Sequence, residues 1–387
     1  MMALTAIENA RIFDGETWHD GETLLIRDGR FAGFCGDGQA TSDAERMDAA
    51  GGVIVPGFID LQVNGGGGAM FNDDQSVEGI RRICAAHARF GATSLLPTLI
   101  TDTPDITAAA IEAGLQAKAE HVPGFLGLHL EGPHLSVARK GAHDPNLIRP
   151  MTEEDLTRLE AVGRRFDAIM ITIAPENVTE DQVARLTAAG YTVSLGHTNA
   201  SYETAERYAR AGARCATHLF NAMSQMENRS PGLVGAALDL GALNAGIIAD
   251  GHHVHKGAMS AALRAKRGPG RIFVVTDAMS TIGTDLTGFT LNGRQIYRTD
   301  GKLTLADGTL AGADIDMFSS VRFLIDSVGL SLEEAVRMAS VYPAEVMGVS
   351  ENKGRIAVGC DADFVILNAA ATQLSSTWIA GTCVHVT

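Results

Sequence analysis

Eight short apolar runs, at residues 57–62, 92–97, 124–130, 168–174, 191–196, 213–217, 245–249 and 271–276, constrain this chain more than any other feature. Each is followed by polar or glycine-rich residues. Six stretches of helical spacing lie between them, at 77–90, 105–120, 152–165, 179–189, 202–211 and 254–264. Successive runs are separated by roughly 20 to 40 residues, the length of a strand, a loop and a returning helix. Eight such units predict an α/β chain whose core is a (β/α)8 TIM-like barrel of about 250 residues. A doubly wound open sheet is the alternative, and eight recurring units favour closure. Helical spacing at 317–328 and 331–347 supplies the last helices, and the 43 glycines punctuate the junctions.

The two ends lack this pattern. Residues 1–55 read as strands and turns, with a hairpin-like unit turning at Asp28-Gly29, and residues 354–387 alternate around Gly and Asp in the same way. Neither end is long enough to bury a core alone. Both are expected to combine in one small β-sandwich beside the barrel, which divides the chain into 1–55, 56–353 and 354–387.

Composition removes several functions. An apolar fraction of 45% and a charged fraction of 20% exclude wholesale disorder. No run approaches about 18 apolar residues and no charged-then-apolar leader opens the chain, so neither a membrane span nor a secretory signal is expected. Against 46 Asp and Glu stand 31 Lys and Arg, a formal charge of −15 that would repel a nucleic-acid backbone. An anionic small molecule would need a local cationic pocket. Cys35, Cys84, Cys215, Cys360 and Cys383 form no Cys-x-x-Cys pair, which argues against a disulfide framework or thiolate zinc site and for a reduced cytoplasm. Cys215, three residues before His218, reads as a buried thiol.

Barrel enzymes build their sites at the C-terminal strand ends. Those ends carry Gln62, Glu131, His197, His218, Asp250 and Asp277. Glu131, His197 and His218 supply three ligands for a divalent ion and leave a position for water. Asp277 is left for proton transfer. Each has a plainer alternative: a structural hydrogen-bonded histidine, an ion pair or cap for Glu131, a helix cap for Asp277. Their shared address, not any one motif, favours metal binding. His129 reads as a packed residue inside the barrel. His252, His253 and His255 have poor spacing for a second metal. Asn64 with Gly65 to Gly68 resembles a phosphate cradle but lacks the Lys-Ser/Thr of a P-loop.

Six motifs then occur in register: the run from Pro56-Gly57-Phe58-Ile59-Asp60 to Gln62-Val63-Asn64-Gly65, His129-Leu130-Glu131-Gly132-Pro133, Gly196-His197-Thr198, Thr217-His218-Leu219-Phe220-Asn221-Ala222-Met223, Ala249-Asp250-Gly251-His252-His253 and Thr276-Asp277-Ala278. The series resembles the amidohydrolase superfamily and, within it, the N-acetylglucosamine-6-phosphate deacetylase family, over nearly the whole chain. That resemblance implies hydrolysis of the acetamide of an amino-sugar phosphate. It implies one divalent metal, zinc or ferrous iron, on Glu131, His197 and His218, with Asp277 as general base and acid and no organic cofactor. It further implies that Asn221, Ala222, Arg229 and His253 meet the sugar phosphate, that Ala142 and His143 reach the acetamido group or sugar, and that Leu310, Ala311 and Gly312 line the pocket. A homodimer is implied too, in which Arg229 serves its own or a neighbouring site.

The sequence departs from many superfamily members at strand one, where Gln62-Val63-Asn64 replaces His-x-His. A neutral amide is a poor zinc ligand, so one metal rather than two is expected. At the end of strand four Ala174-Pro175-Glu176 stands where some two-metal relatives carry a modified lysine. The rivals are another amidohydrolase, including a deacetylase for the galactosamine epimer, and a noncatalytic sugar-phosphate binder. Intact Glu131, His197, His218 and Asp277 argue against the binder.

Overall fold

A computed structural model describes residues 4–36, 38–40 and 44–387. Residues 1–3, 37 and 41–43 of the expected 1–55 segment lie outside the described residues. Eight parallel strands follow one another in sequence order: Phe58–Val63, Ala92–Ile100, Gly127–Glu131, Ala168–Ile173, Thr192–Leu195, Cys215–Ala216, Asn244–Ile248 and Ile272–Val275. Each matches one of the eight apolar runs, because helices cover the outer face and packed side chains fill the inside. The first and eighth strands close the ring through Asp277 N–H to the Gln62 carbonyl (2.9 Å) and Asn64 N–H to the Ala278 carbonyl (2.8 Å). The Asp60 carboxylate reinforces that seam, accepting from the Thr276 hydroxyl (2.5 Å) and N–H (3.2 Å).

The expected helices form at Val77–Ala88, Pro104–Ala119, Glu153–Glu160, Glu180–Ala188, Tyr202–Ala211 and Lys256–Ala265. Thr152 with Asp155, and Thr179 with Gln182, start two of them as reciprocal capping boxes. Three stretches end differently from the periodicity. Helix 152–165 stops at Glu160 and resumes only as a 3-10 turn at Gly163–Arg165. The stretch 317–328 is α-helical over Met317–Phe323 and continues as a π turn, Leu324–Val328. The stretch 331–347 splits at Ser340 into Leu332–Ala339 and Val341–Met347, because Pro343 has no N–H to return to the preceding turn.

Two elements escaped the sequence reading. Helix Gly232–Asp239, between strands six and seven, is buried from Gly232 through Leu238, so it has no polar face to reveal a period. A four-stranded antiparallel sheet follows strand eight: Gly288–Leu291, Arg294–Thr299, Lys302–Thr304 and Leu310–Ala313. Its hairpin signals were present: Asn292-Gly293 (φ 50° and 71°) and Asp300-Gly301 (φ 52° and 71°) take the paired left-handed conformation of tight hairpin turns.

The termini combine beside the barrel as expected, in one continuous hydrogen-bonded sheet where a β-sandwich was expected. Strand Glu45–Pro56 pairs in parallel with Thr5–Phe13 and antiparallel with Phe364–Leu367, joining both ends in one eight-stranded sheet. Ile7, Ile12, Leu24, Phe31, Ile54 and Phe364 form its separate core. Lys353, half-buried just after the barrel's last helix, pairs with Asp363 (2.6 Å) and Asp361 (3.1 Å).

Candidate active site

Glu131, at the end of strand three, faces His197 and His218, each of which follows the last residue of its strand, five or six, with one residue between. Glu131 Oε1 lies 3.2 Å from Nε2 of each histidine, and the two Nε2 atoms are 3.0 Å apart. All three side chains are buried. His197 Nδ1 donates to the Arg139 carbonyl (2.8 Å), which leaves a bare lone pair on Nε2. That lone pair points at a carboxylate oxygen and a second imidazole nitrogen, an arrangement that a cation between them makes favourable. Bonds of about 2.0–2.1 Å to a tetrahedral ion would put such ligand atoms roughly 3.3 Å apart, so the donor set fits. Burial pushes Glu131 up, yet the bonds and charges of His197 and His218 hold it well below the usual carboxylate range. His218 is raised, its burial outweighed chiefly by Glu131.

Glu131, His143 and His197 make a rival grouping, with ligand atoms within 4.8 Å of one another. Proton placement separates the two. His143 Nδ1 meets both the Thr101 hydroxyl (2.8 Å) and the Thr101 N–H (3.3 Å); when it accepts from both, the His143 proton sits on Nε2 and that nitrogen has no lone pair to offer. It lies 3.9 Å from Glu131 Oε2 and faces the site as a donor. Burial, then the neighbouring His197, lower His143 to about 3, which keeps the ring neutral.

Asp277 stands beside the three. Asn64 Nδ2 (2.7 Å) and Gln62 Nε2 (3.2 Å) both donate to its Oδ1, and Gln62 also donates to Glu131 Oε1 (3.0 Å). Oδ2 takes no hydrogen bond from the described residues. Burial and the Glu131 charge raise Asp277 above the usual range, the direction a proton acceptor and donor needs. No helix starts here; Ala313 N–H binds the Asp277 carbonyl instead (2.9 Å), so the capping alternative falls away. His197 (φ 47°), His218 (φ 32°), Ala222 (φ 48°) and Asp277 (φ 54°) all occupy the left-handed region. Each such non-glycine residue costs of order 1–3 kcal/mol, and strain of this kind clusters at functional sites.

A cavity of about 510 Å³ opens above these groups, lined by His143, Asn221, Ala222, His253, Ala142, Leu310 and Gly312 among others. Ala311 is buried with Leu291, Ile296 and Leu303 in the core of the four-stranded sheet and does not line it. Arg229 lies in an exposed loop and does not line it either. Asn221 N–H is spent on the His218 carbonyl (2.9 Å), which leaves the neighbouring Ala222 N–H as the open backbone donor. The sequence reading missed Arg139 and Lys140, cations on the cavity wall in the segment that carries Gly141 and His143. Arg294 ties that segment to the four-stranded sheet by donating to the Ala142 carbonyl.

Other candidates resolve into structure. His129 donates to the Leu61 carbonyl (3.0 Å) and meets Thr172 Oγ1 (2.8 Å) inside the barrel. His255 caps the helix that starts at Lys256. The amides of Gly65, Gly67 and Gly68 are consumed by Ala278, Ile282 and Ser280 carbonyls, so that loop cannot cradle a phosphate. Glu176 accepts from Thr198 Oγ1 (2.6 Å) and Asn199 N–H (2.8 Å), bracing the loop after His197. Cys215 is buried, its thiol pushed up to about 12 by burial.

The amidohydrolase family model matches residues 53–385, spanning every strand of the barrel and the returning C-terminal strands. The chain belongs to the amidohydrolase family. This amidohydrolase is 44% identical to an N-acetylgalactosamine-6-phosphate deacetylase of Shewanella sp. (strain ANA-3), over 88% of the chain and 85% of that relative. It is 38% identical to an N-acetylglucosamine-6-phosphate deacetylase of Haemophilus influenzae, over 83% and 84%. The crystal structure of N-acetylglucosamine-6-phosphate deacetylase from Pasteurella multocida superposes with a TM-score of 0.95 at 34% identity, covering 99% of this chain and all of that one.

Proposed function

We propose that this amidohydrolase removes the acetyl group of N-acetyl-D-glucosamine 6-phosphate, giving D-glucosamine 6-phosphate and acetate in amino-sugar catabolism or recycling. The observation that carries the reading is the buried Glu131–His197–His218 donor set beside a raised, half-free Asp277. The names of the relatives supply the substrate class.

Glu131, His197 and His218 hold one divalent ion, zinc or ferrous iron. When bound, such an ion acidifies a water and polarises the acetamide carbonyl. Asp277 Oδ2 takes a proton from the attacking water as its oxygen bonds to the carbonyl carbon. The same proton then goes to the nitrogen as the C–N bond breaks, since an amide nitrogen leaves poorly without it. His143 Nε2–H donates to the carbonyl oxygen as negative charge develops there. Gln62 and Asn64 keep Asp277 Oδ1 occupied, so Oδ2 alone faces the reaction. No organic cofactor enters.

His253, Asn221 and Ala222 receive the phosphorylated end. Arg229 reaches it from a neighbouring copy in a homodimer, a role consistent with its exposure in a single chain. Among the described residues no helix is long and apolar enough to cross a membrane. The five free cysteines support a cytoplasmic enzyme.

The relative at 44% identity favours a second reading, the galactosamine epimer. Acetate release measured on the 6-phosphates of N-acetylglucosamine and N-acetylgalactosamine decides between them. A kcat/KM higher for the galactosamine epimer overturns the first assignment, and no acetate from either overturns both.

A further inference from the structure

Strand seven, Asn244–Ile248, is followed by a tight turn built around one carboxylate. Asp250 Oδ1 accepts the N–H groups of His252 and His253 (2.8 Å each), and Oδ2 accepts from His253 Nδ1 at 2.6 Å. Gly251 (φ 74°) permits the turn, since a Cβ there would meet the Phe323 ring at 2.8 Å. Both side chains are nearly sealed, 7% exposed for His253 and 4% for Asp250. Nδ1 is therefore the proton-bearing nitrogen, while Nε2 has no hydrogen bond to the described residues and the ring lines the active-site cavity. Asp250 is not among the groups that the reaction uses, yet it is buried against one that faces the substrate.

We infer that Asp250 is a positioning residue, which aims His253 Nε2 into the cavity and supplies the countercharge that lets the ring receive the substrate's phosphate as an imidazolium. The inference rests on the deacetylase reading for the identity of the anion. A neutral ring protonated at Nδ1 presents only a lone pair, which repels a phosphate oxygen; a second proton turns the same atom into a charge-assisted donor. The Asp250 carboxyl stays below the usual range because, against the upward push of burial, the His253 bond and charge and the two backbone amides stabilise the anion. The charged groups sharing the cavity are Glu131 and Asp277 at its floor and Arg139 and Lys140 on its wall; His252 and His255 flank the turn.

Asp250→Asn tests this without dismantling the turn, because the amide oxygen still accepts both backbone N–H groups. Its NH2 faces Nδ1, however, and forces the ring proton to Nε2 as a neutral donor. With N-acetylglucosamine 6-phosphate, KM should rise about ten- to a hundredfold while kcat, metal content and melting temperature stay near wild type. Unphosphorylated N-acetylglucosamine should show no such penalty. Asp250→Asn placed on His253→Gln should cost nothing further, since the carboxylate acts only through the ring. In ¹⁵N-histidine spectra, inorganic phosphate should shift His253 to the doubly protonated form in the wild type and not in Asp250→Asn. Unchanged KM, equal losses on both substrates, additive losses in the double variant, or an unresponsive wild-type ring each overturns the inference. If the wild type deacetylates neither hexosamine phosphate, the functional reading fails, and the phosphate titration still decides the dyad.

Discussion

Asp60 offers a measurement of how the barrel seam is held. It is completely buried on strand one, and burial raises its carboxyl to about 7 against the Thr276 and Gln62 hydrogen bonds that pull it down. In the unfolded chain it titrates near 3.8. Between those values the folded state holds a proton that the unfolded state has lost. Asp60 therefore contributes stability that is fully present below about pH 4 and disappears as pH rises through about 7. Integrated from pH 5 to pH 8, that loss is roughly 2 to 3 kcal/mol. Asp60→Asn keeps an acceptor for the Thr276 and Gln62 N–H groups and cannot titrate. Its amide can donate to Thr276 Oγ1, which turns its own proton toward the Gln62 carbonyl 3.4 Å away. Urea unfolding of wild type and variant at matched metal content, at intervals from pH 5 to pH 8, isolates the effect, since other titrating groups cancel in the difference. The variant should gain on the wild type by about 2 to 3 kcal/mol across that range. Parallel stability curves would refute the reasoning and mean that Asp60 is ionised throughout.

Asp277→Asn should retain fold and metal and lose about 10²- to 10⁴-fold in kcat, read by acetate release; near-normal turnover moves the base elsewhere, with His143 the next candidate. Elemental analysis of protein purified without added metal should find one tightly held divalent ion per chain. His143→Asn should leave that content unchanged and Glu131→Gln should abolish it; loss of metal in the His143 variant would mean the rival grouping is the true ligand set. Arg229→Ala should sharply lower kcat/KM for the phosphorylated sugar and not for N-acetylglucosamine. Activity recovered by mixing Arg229→Ala with Asp277→Asn chains would show donation between subunits, and no recovery would place the contact within one chain.

What the amino-acid order decided alone was periodicity and address. Strands buried on both faces must be apolar throughout, so all eight announced themselves, and the residue after each run fell at the mouth where barrel sites form. That was enough to assemble Glu131, His197, His218 and Asp277, and to see that Gln62 and Asn64 cannot bind a second metal as imidazoles do. It was not enough to find helix Gly232–Asp239, whose burial on every side erases any period, or to use the Asn292-Gly293 and Asp300-Gly301 hairpins.

Tertiary structure alone decided direction and protonation. Local sequence cannot say which nitrogen of an imidazole carries its proton when the partner that fixes it comes from another element, as at His197 and His143. His197 is set by the Arg139 carbonyl, His143 by the Thr101 amide and His253 by Asp250. Those three contacts give different orientations and proton positions to residues that are chemically the same in the chain, and the roles proposed for them follow from that difference. The same applies to Ala311 and Arg229. Strand alternation turns one into the core of the small sheet, and an exposed loop carries the other out of its own chain's cavity. Hydrogen bonds between residues far apart in sequence exist only once the barrel has closed, so the chemistry of the site belongs to the fold, and the list of its groups to the sequence.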